Sequence, residues 1–319
     1  MARFSSGWTT VWPENTRVGL AVSGGPDSLA LLALAHAALP GKFAVATVDH
    51  GLRAGSVAEA AMVAGLCEGL GVAHRTLTVE VPRAGNLSAA ARTARYAALG
   101  EWAAELGLTA IVTAHHADDQ AETLLLRLNR GAGLGGLAAM RPRAPLPGLG
   151  LGNPAIALLR PLLGWRKAEL EAVVAAAGWT PADDPSNRDP RFDRARLRAA
   201  LATGDLLDPA RVAASAGHLR DAAEALDWAI AREFAERVTA DAQATTYRPL
   251  APRAIRLGVL ARIVAKTVDG AQAPRGDELA RLLATLDGGG IATLGGWRGN
   301  AREAGLWRFT RTPPPRSKS

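Results

Sequence analysis

Residues 17–35 constrain this chain more than any other stretch. An apolar segment, Arg17-Val18-Gly19-Leu20-Ala21-Val22, leads into Ser23-Gly24-Gly25-Pro26-Asp27-Ser28. Leu29-Ala30-Leu31-Leu32-Ala33-Leu34-Ala35 follows. This reads as a strand, a glycine-rich turn and a helix. The first backbone N–H groups of a helix have no partner within it, so a turn that feeds a helix start is an anion site. Gly24 and Gly25 lack the Cβ atoms that would keep a phosphate off the backbone, and Ser23 and Ser28 add hydroxyl groups. Asp27 is the odd member. A carboxylate among phosphates requires a bridging cation, which points to Mg²⁺. The turn lacks the lysine of GxxxxGK(S/T) and the spacing of GxGxxG, so neither of those nucleotide motifs applies.

The first half continues as alternating strands and helices. Strands are expected at 43–48, 75–79, 110–113 and 155–159 beside the first at 17–22, with alanine-rich helices at 28–38, 57–70 and 88–106. That alternation predicts a parallel sheet covered on both faces, with ligands beyond the carboxyl ends of its strands. The polar residues do follow strands. Strand two runs into Val48-Asp49-His50-Gly51-Leu52-Arg53, which puts Asp49, His50 and Arg53 at the same mouth as the turn. Strand four runs into Thr113-Ala114-His115-His116-Ala117-Asp118-Asp119-Gln120-Ala121-Glu122. His115, Asp119 and Glu122 are spaced i, i+4 and i+7, so on one helix they share a face. Such a face suits a metal, acid–base chemistry or a cationic substrate; acids at a helix start also complement its dipole.

Charge divides the chain unevenly. Residues 1–150 carry a net +1 and residues 151–319 a net +6, with a pI near 10.4 overall. Arginine accounts for 33 of the 37 basic residues. Compositional bias explains that choice of residue but not the asymmetry, which favours a polyanionic partner. Arg191, Arg194, Arg196 and Arg198 crowd into eight positions, and Arg191, Arg194 and Arg198 share a helical face. One cysteine, Cys67, excludes an internal disulfide and a cysteine metal cluster. No run of about 18 apolar residues exists to span a membrane, and a cytoplasmic location is expected.

Taken together, these segments resemble the tRNA(Ile)-lysidine synthetases. The matching blocks are SGGPDS at 23–28, VDHGLR at 48–53, AARTARY at 90–96, TAHHADDQAETLLLRLNRGAGLGGL at 113–137, RPLL at 160–163 and DPSNRDPRFDRARLR at 184–198. The third and fourth blocks discriminate; SGGPDS alone fits any pyrophosphate-loop enzyme. The resemblance implies an α/β fold of the adenine nucleotide alpha hydrolase type with a smaller, mainly helical C-terminal domain. It implies a reaction in which ATP adenylates the carbon-2 oxygen of the wobble cytidine of isoleucine tRNA with a CAU anticodon. The ε-amine of L-lysine then displaces AMP. Ser23 to Ser28, with Asp49 and His50, are then expected at ATP, with Asp27 placing Mg²⁺ and, with Asp119 and Glu122, catalytic. Asp119, Glu122, Arg92 and His115 are expected at lysine, and Arg191, Arg194 and Arg198 at tRNA. The family often has an asparagine where this chain has Ala195.

The catalytic domain is expected over 1–205, a C-terminal domain for tRNA contacts over 206–311 and a disordered tail over 312–319. Within the second domain helices are expected at 209–238, 252–268 and 274–286. A hairpin over 291–298 and 303–311 is expected to turn at Gly299-Asn300. A homodimer is compatible with this reading. The rivals are a pyrophosphate-loop thiolase acting on tRNA, which usually needs paired cysteines, an amide-forming synthetase on a small metabolite, which needs no basic half, and an RNA-binding protein with a vestigial ATP site.

Overall fold

The computed structural model describes residues 2–12, 16–51, 55–82, 87–138, 140–148, 156–183, 189, 191, 193–203, 206–265 and 276–312. The chain divides into two compact units between Arg220 and Asp221. The boundary expected at 205/206 adjoins residues 204 and 205, which lie outside the described residues, as do 313–319 of the expected tail.

The first unit is built on a six-stranded sheet. In chain order its strands are β1 (Val18–Ala21), β2 (Phe43–Asp49), β3 (His74–Thr78), β4 (Ala110–Val112), β5 (Arg143–Pro145) and β6 (Ala157–Leu159). Their spatial order is β3-β2-β1-β4-β6-β5, all parallel except β5, which pairs antiparallel with β6 at the edge. The helices are α1 (Ala2–Val11), α2 (Pro26–Ala38), α3 (Ser56–Gly69), α4 (Leu87–Glu105), α5 (Ala117–Asn129), α6 (Leu134–Leu137), α7 (Lys167–Ala176) and α8 (Asp193–Thr203). Sequence periodicity misses α1 and β5.

The strands read as near-continuous apolar runs because both faces are covered. Along β2, Phe43 and Val45 join a core with Leu29, Leu32 and Phe4, while Ala44 and Ala46 join a second core with Tyr96, Leu99 and Trp102. Each such large side chain contributes about 1.5–3 kcal/mol on burial. Gly19 in β1 allows this: a Cβ there would sit 2.3 Å from the Trp102 ring. The sheet positions the site, because β1, β2 and β4 are neighbours and all end at one mouth.

The second unit holds most of α9 (Pro209–Arg237), then β7 (Val238–Ala240), β8 (Thr245–Tyr247), α10 (Arg253–Ala265), α11 (Gly276–Asp287), β9 (Ile291–Leu294), β10 (Trp297–Asn300) and β11 (Trp307–Arg311). The three expected helices are present. The unit is mainly helical as expected, and the strands expected over 291–298 and 303–311 belong to a larger five-stranded antiparallel sheet of order β7-β8-β11-β10-β9. The expected turn at Gly299-Asn300 is corrected. Those residues belong to β10, where a Cβ on Gly299 would press on the Phe309 ring at 3.0 Å. The tight turn is Gly295-Gly296, whose φ angles of +57° and +78° suit a two-residue hairpin between β9 and β10. The buried face of this sheet, including Tyr247, Trp297, Trp307 and Phe309, packs with Val259, Ile263, Leu282 and Leu286. Among the described residues no helix is long and apolar enough to cross a membrane.

Candidate active site

Beyond the ends of β1, β2 and β4 lies a cleft of about 670 Å³. Its floor is the loop from β1 to α2. Gly24 adopts φ +88°, which L-residues avoid, and its carbonyl accepts the Ala182 N–H at 2.9 Å. Gly25 is the N-cap of α2 and Pro26 opens the helix. The Ser28 hydroxyl donates to Gly25 O at 3.0 Å and accepts the Ser23 N–H at 3.1 Å. Ser28 therefore shapes the loop, and its proton is already committed. Ser23, Gly25, Pro26, Asp27 and Ser28 line the cleft.

One side of the cleft is acidic and is organised by His116, which is 3 % exposed and precedes α5. Its Nε2 lies 3.5 Å from Asp27 and 3.5 Å from Asp119, and its Nδ1 lies 3.5 Å from Asp118. Burial disfavours its charge, but Asp118, Asp27 and Asp119 outweigh burial and push its pKa up to about 10, so His116 is an imidazolium. Asp119 also accepts the His116 backbone N–H at 3.1 Å, the N3 position of a capping box. Asp118 accepts the Lys167 N–H at 2.9 Å and pairs with Arg166. Burial alone would raise its pKa; His116, that N–H and Arg166 hold it far below the usual carboxylate range. Asp27 and Asp119 face the cleft, and Asp27 Oδ1 is buried with no hydrogen-bond partner.

The other side is arginine-rich. Arg92 and Arg95 of α4, Arg194 of α8 and His115 line it. Arg92 and Arg95 stack on the Tyr96 ring at 4.9 and 5.0 Å, and among the described residues neither they nor Arg194 pair with a carboxylate. Burial, followed by the charges of Arg160, Arg95, Arg92 and Arg194, lowers the His115 pKa to about 3, so this ring is neutral. Thr113 Oγ1 lies 2.8 Å from its Nδ1.

Several sequence expectations are redistributed. His115 precedes α5 and does not share a helical face with Asp119 and Glu122; it belongs with the arginines. Glu122 does not line the cleft. It is 3 % exposed and grips Arg198 through two hydrogen bonds, from Nε at 2.8 Å and Nη2 at 3.1 Å. That pair joins α5 to α8, so the Arg198 guanidinium is committed to the buried Glu122 although its side chain is 37 % exposed, and Arg191 and Arg194 do not share its setting. Arg191 is 84 % exposed and pairs with Asp189. His50 lines the cleft, whereas the Asp49 carboxylate is taken by Ser56 and the Gly51 N–H, which keep its pKa low. Arg53, and residues 184–188 of the last matching block, lie outside the described residues. Sequence reasoning passed over His116 and Arg95. The capping-box spacing from His116 to Asp119 and the i, i+3 spacing from Arg92 to Arg95 are the signals that mark them.

A metal would find Asp27 and little else. Among the described residues no group of three or more His, Cys, Asp or Glu side chains forms a metal cage. One partnerless carboxylate oxygen beside a phosphate loop fits Mg²⁺, which binds through one or two carboxylates plus substrate phosphates. Cys67 is buried in the core and burial lifts its thiol pKa to about 11, so it is no nucleophile.

The PP-loop domain family matches residues 4–204. The tRNA(Ile)-lysidine synthase of Novosphingobium aromaticivorans is 52 % identical over 99 % of this chain and 95 % of its own length. That of Zymomonas mobilis subsp. mobilis is 40 % identical over 95 % and 90 %. Among solved structures, the U34-tRNA thiolase NcsA of Methanococcus maripaludis, which carries an iron–sulfur cluster, superposes with a TM-score of 0.54. That match has 15 % identity over 69 % of this chain and 78 % of that one, and so shares the fold. With a phosphate loop, a mouth divided between acid and arginine, and likeness over nearly its whole length, the chain belongs to the tRNA(Ile)-lysidine synthase family of PP-loop proteins.

Proposed function

We propose that this protein uses ATP to attach free L-lysine to carbon 2 of the wobble cytidine in isoleucine tRNA bearing a CAU anticodon. The observation that carries this reading is a single cleft with a phosphate loop on its floor, carboxylates on one side and arginines on the other. In the first step the cytidine carbon-2 oxygen attacks the α-phosphorus of ATP and pyrophosphate leaves. In the second the lysine ε-amine, having lost a proton, attacks carbon 2, and AMP departs with the oxygen. The N–H groups at the start of α2 hold the pyrophosphate end of ATP. Mg²⁺ on Asp27 supplies charge neutralisation between phosphates when bound. Asp119 faces the cleft, attracts the lysine ammonium group and is within the acid side that accepts its proton. Arg92 and Arg194 take the lysine carboxylate or a phosphate of the anticodon. Glu122 acts through Arg198, holding α8 against α5. Arg191, exposed at the end of the same segment, contributes to the tRNA footprint together with the C-terminal unit.

The experiment is pyrophosphate release from ATP, measured with and without tRNA and lysine. Release that needs tRNA supports the reading. Release without tRNA on addition of a small acid or amine assigns the protein to metabolite synthesis, and no release at all makes the ATP site vestigial. A thiolase reading lacks its sulfur chemistry, because the lone Cys67 is buried with a raised pKa.

A further inference from the structure

The five-stranded sheet of the C-terminal unit has one face in the core and one face open. Alternation sorts the residues: Trp297, Gly299, Trp307 and Phe309 are buried, while Arg298 and Arg308 are exposed. Register puts Arg298 opposite Thr310 on β11 and Thr293 on β9, and Arg308 opposite Asn300 on β10 and Thr246 on β8. The two arginines are thus diagonal neighbours on the central strands, about 7–8 Å apart at their Cα atoms. Arg248 continues the alternation one residue past β8. Its N–H bonds to Arg237 O at 3.2 Å, extending the ladder, and both of these arginines are exposed.

The open face is basic, and none of the five strands carries a carboxylate. Elsewhere in this unit Asp287 pairs with Arg256, Glu236 pairs with Arg232 and Glu233 accepts the Tyr247 hydroxyl, while Glu303 is exposed in the β10–β11 connection. Among the described residues, Arg248, Arg298 and Arg308 have no ion pair. Asp241, at the β7–β8 turn, feels the charge of Arg308, but its carboxylate is held by the N–H groups of Gln243 and Ala244. Threonine hydroxyls separate the arginines, which avoids direct like-charge pairing and supplies neutral donors. Solvation alone would tolerate such a face, but it would not exclude carboxylates from it.

We infer that this open sheet face, centred on Arg298 and Arg308, is a docking surface for the sugar–phosphate backbone of the tRNA substrate. The inference rests on the proposed tRNA activity and adds the place where the C-terminal unit grips the nucleic acid. A twisted sheet carrying guanidinium and hydroxyl donors follows a phosphate chain and reads no bases, so it supplies affinity and register, not the choice of anticodon.

The test is a salt titration of tRNA binding by the full-length protein. The double variant Arg298→Glu/Arg308→Glu should weaken binding at least tenfold near 0.1 M salt. It should also flatten the slope of log K against log salt by about 1.5, since each phosphate contact contributes about 0.7–0.9. Thr310→Lys, which places a cation between them, should tighten binding and steepen the slope by about one. A gain of this kind cannot come from misfolding. Unchanged affinity and slope in both variants overturn the assignment while leaving the tRNA activity standing. A wild-type protein that neither binds tRNA nor attaches lysine to it overturns both.

Discussion

The acidic and arginine sides of the cleft begin in the same dipeptide. His115 and His116 are neighbours in sequence, yet one ring is held neutral with a pKa near 3 and the other charged with a pKa near 10. Burial opposes charge on both. His116 overcomes it because Asp27, Asp118 and Asp119 converge on it; His115 does not, because Arg92, Arg95, Arg160 and Arg194 surround it. The residue type therefore decides nothing here, and the neighbours that β4 and α5 bring together decide everything. A lysine substrate, cationic at one end and anionic at the other, needs both kinds of surroundings within one cleft.

The largest effect should come from the acidic side. Asp27→Asn removes the carboxylate that sits among phosphates and should lower tRNA-dependent pyrophosphate release by roughly a thousandfold, several kcal/mol in the transition state. Near-normal release at saturating Mg²⁺ would detach Asp27 from the metal. Arg198→Ala should come next, as a stability effect. It strands the buried Glu122 carboxylate and should cost about 3 kcal/mol, the low end for breaking a buried pair because Arg198 reaches solvent. Denaturant unfolding reads this directly, and an unaltered midpoint would return Arg198 to the tRNA surface. Asp119→Asn should raise the KM for lysine about tenfold more than the KM for ATP; equal rises would place it on the ATP side.

The two histidines give a paired test in pH. The folded His116 pKa lies above its unfolded value of about 6.5, so its contribution is complete below pH 6.5 and is lost as pH rises towards 10. The folded His115 pKa lies below, so the unfolded chain takes up a proton the folded site refuses, and stability falls as pH drops from 6.5 towards 3. In metal-free thermal scans, His116→Gln should flatten the alkaline limb of Tm against pH and His115→Gln the acid limb. Flattening of the same limb by both would end the contrast. The smallest effect belongs to Arg191→Ala. This residue is 84 % exposed and paired with Asp189, so tRNA affinity should fall about twofold, with a salt slope lower by one at most. A loss above tenfold would make it a principal anchor.

Much of the fold is legible from apolar runs and punctuation. β1 to α2, the alternation to α4 and the long α9 with Pro209 at its start all follow from local signals. α1 and the three-residue strands β5, β7 and β8 do not, because so few residues show no period and their pairing depends on distant partners. The site is legible as residue types following strands. Its division is not: Glu122 and Asp119 look alike at i+7 and i+4, and only the arrival of Arg198 from α8 separates a structural carboxylate from one that faces the cleft. Gly299-Asn300 misleads for a related reason, since a turn dipeptide also fits a strand where a ring such as Phe309 needs the space.

The most direct test is incorporation of labelled lysine into isoleucine tRNA bearing a CAU anticodon, with pyrophosphate and AMP counted alongside. The proposed function predicts incorporation that requires ATP, with one lysine attached for each pyrophosphate and each AMP released, and none into tRNA whose wobble cytidine is replaced by uridine. Pyrophosphate release without lysine on the tRNA, or equal incorporation with the replaced nucleotide, would contradict it.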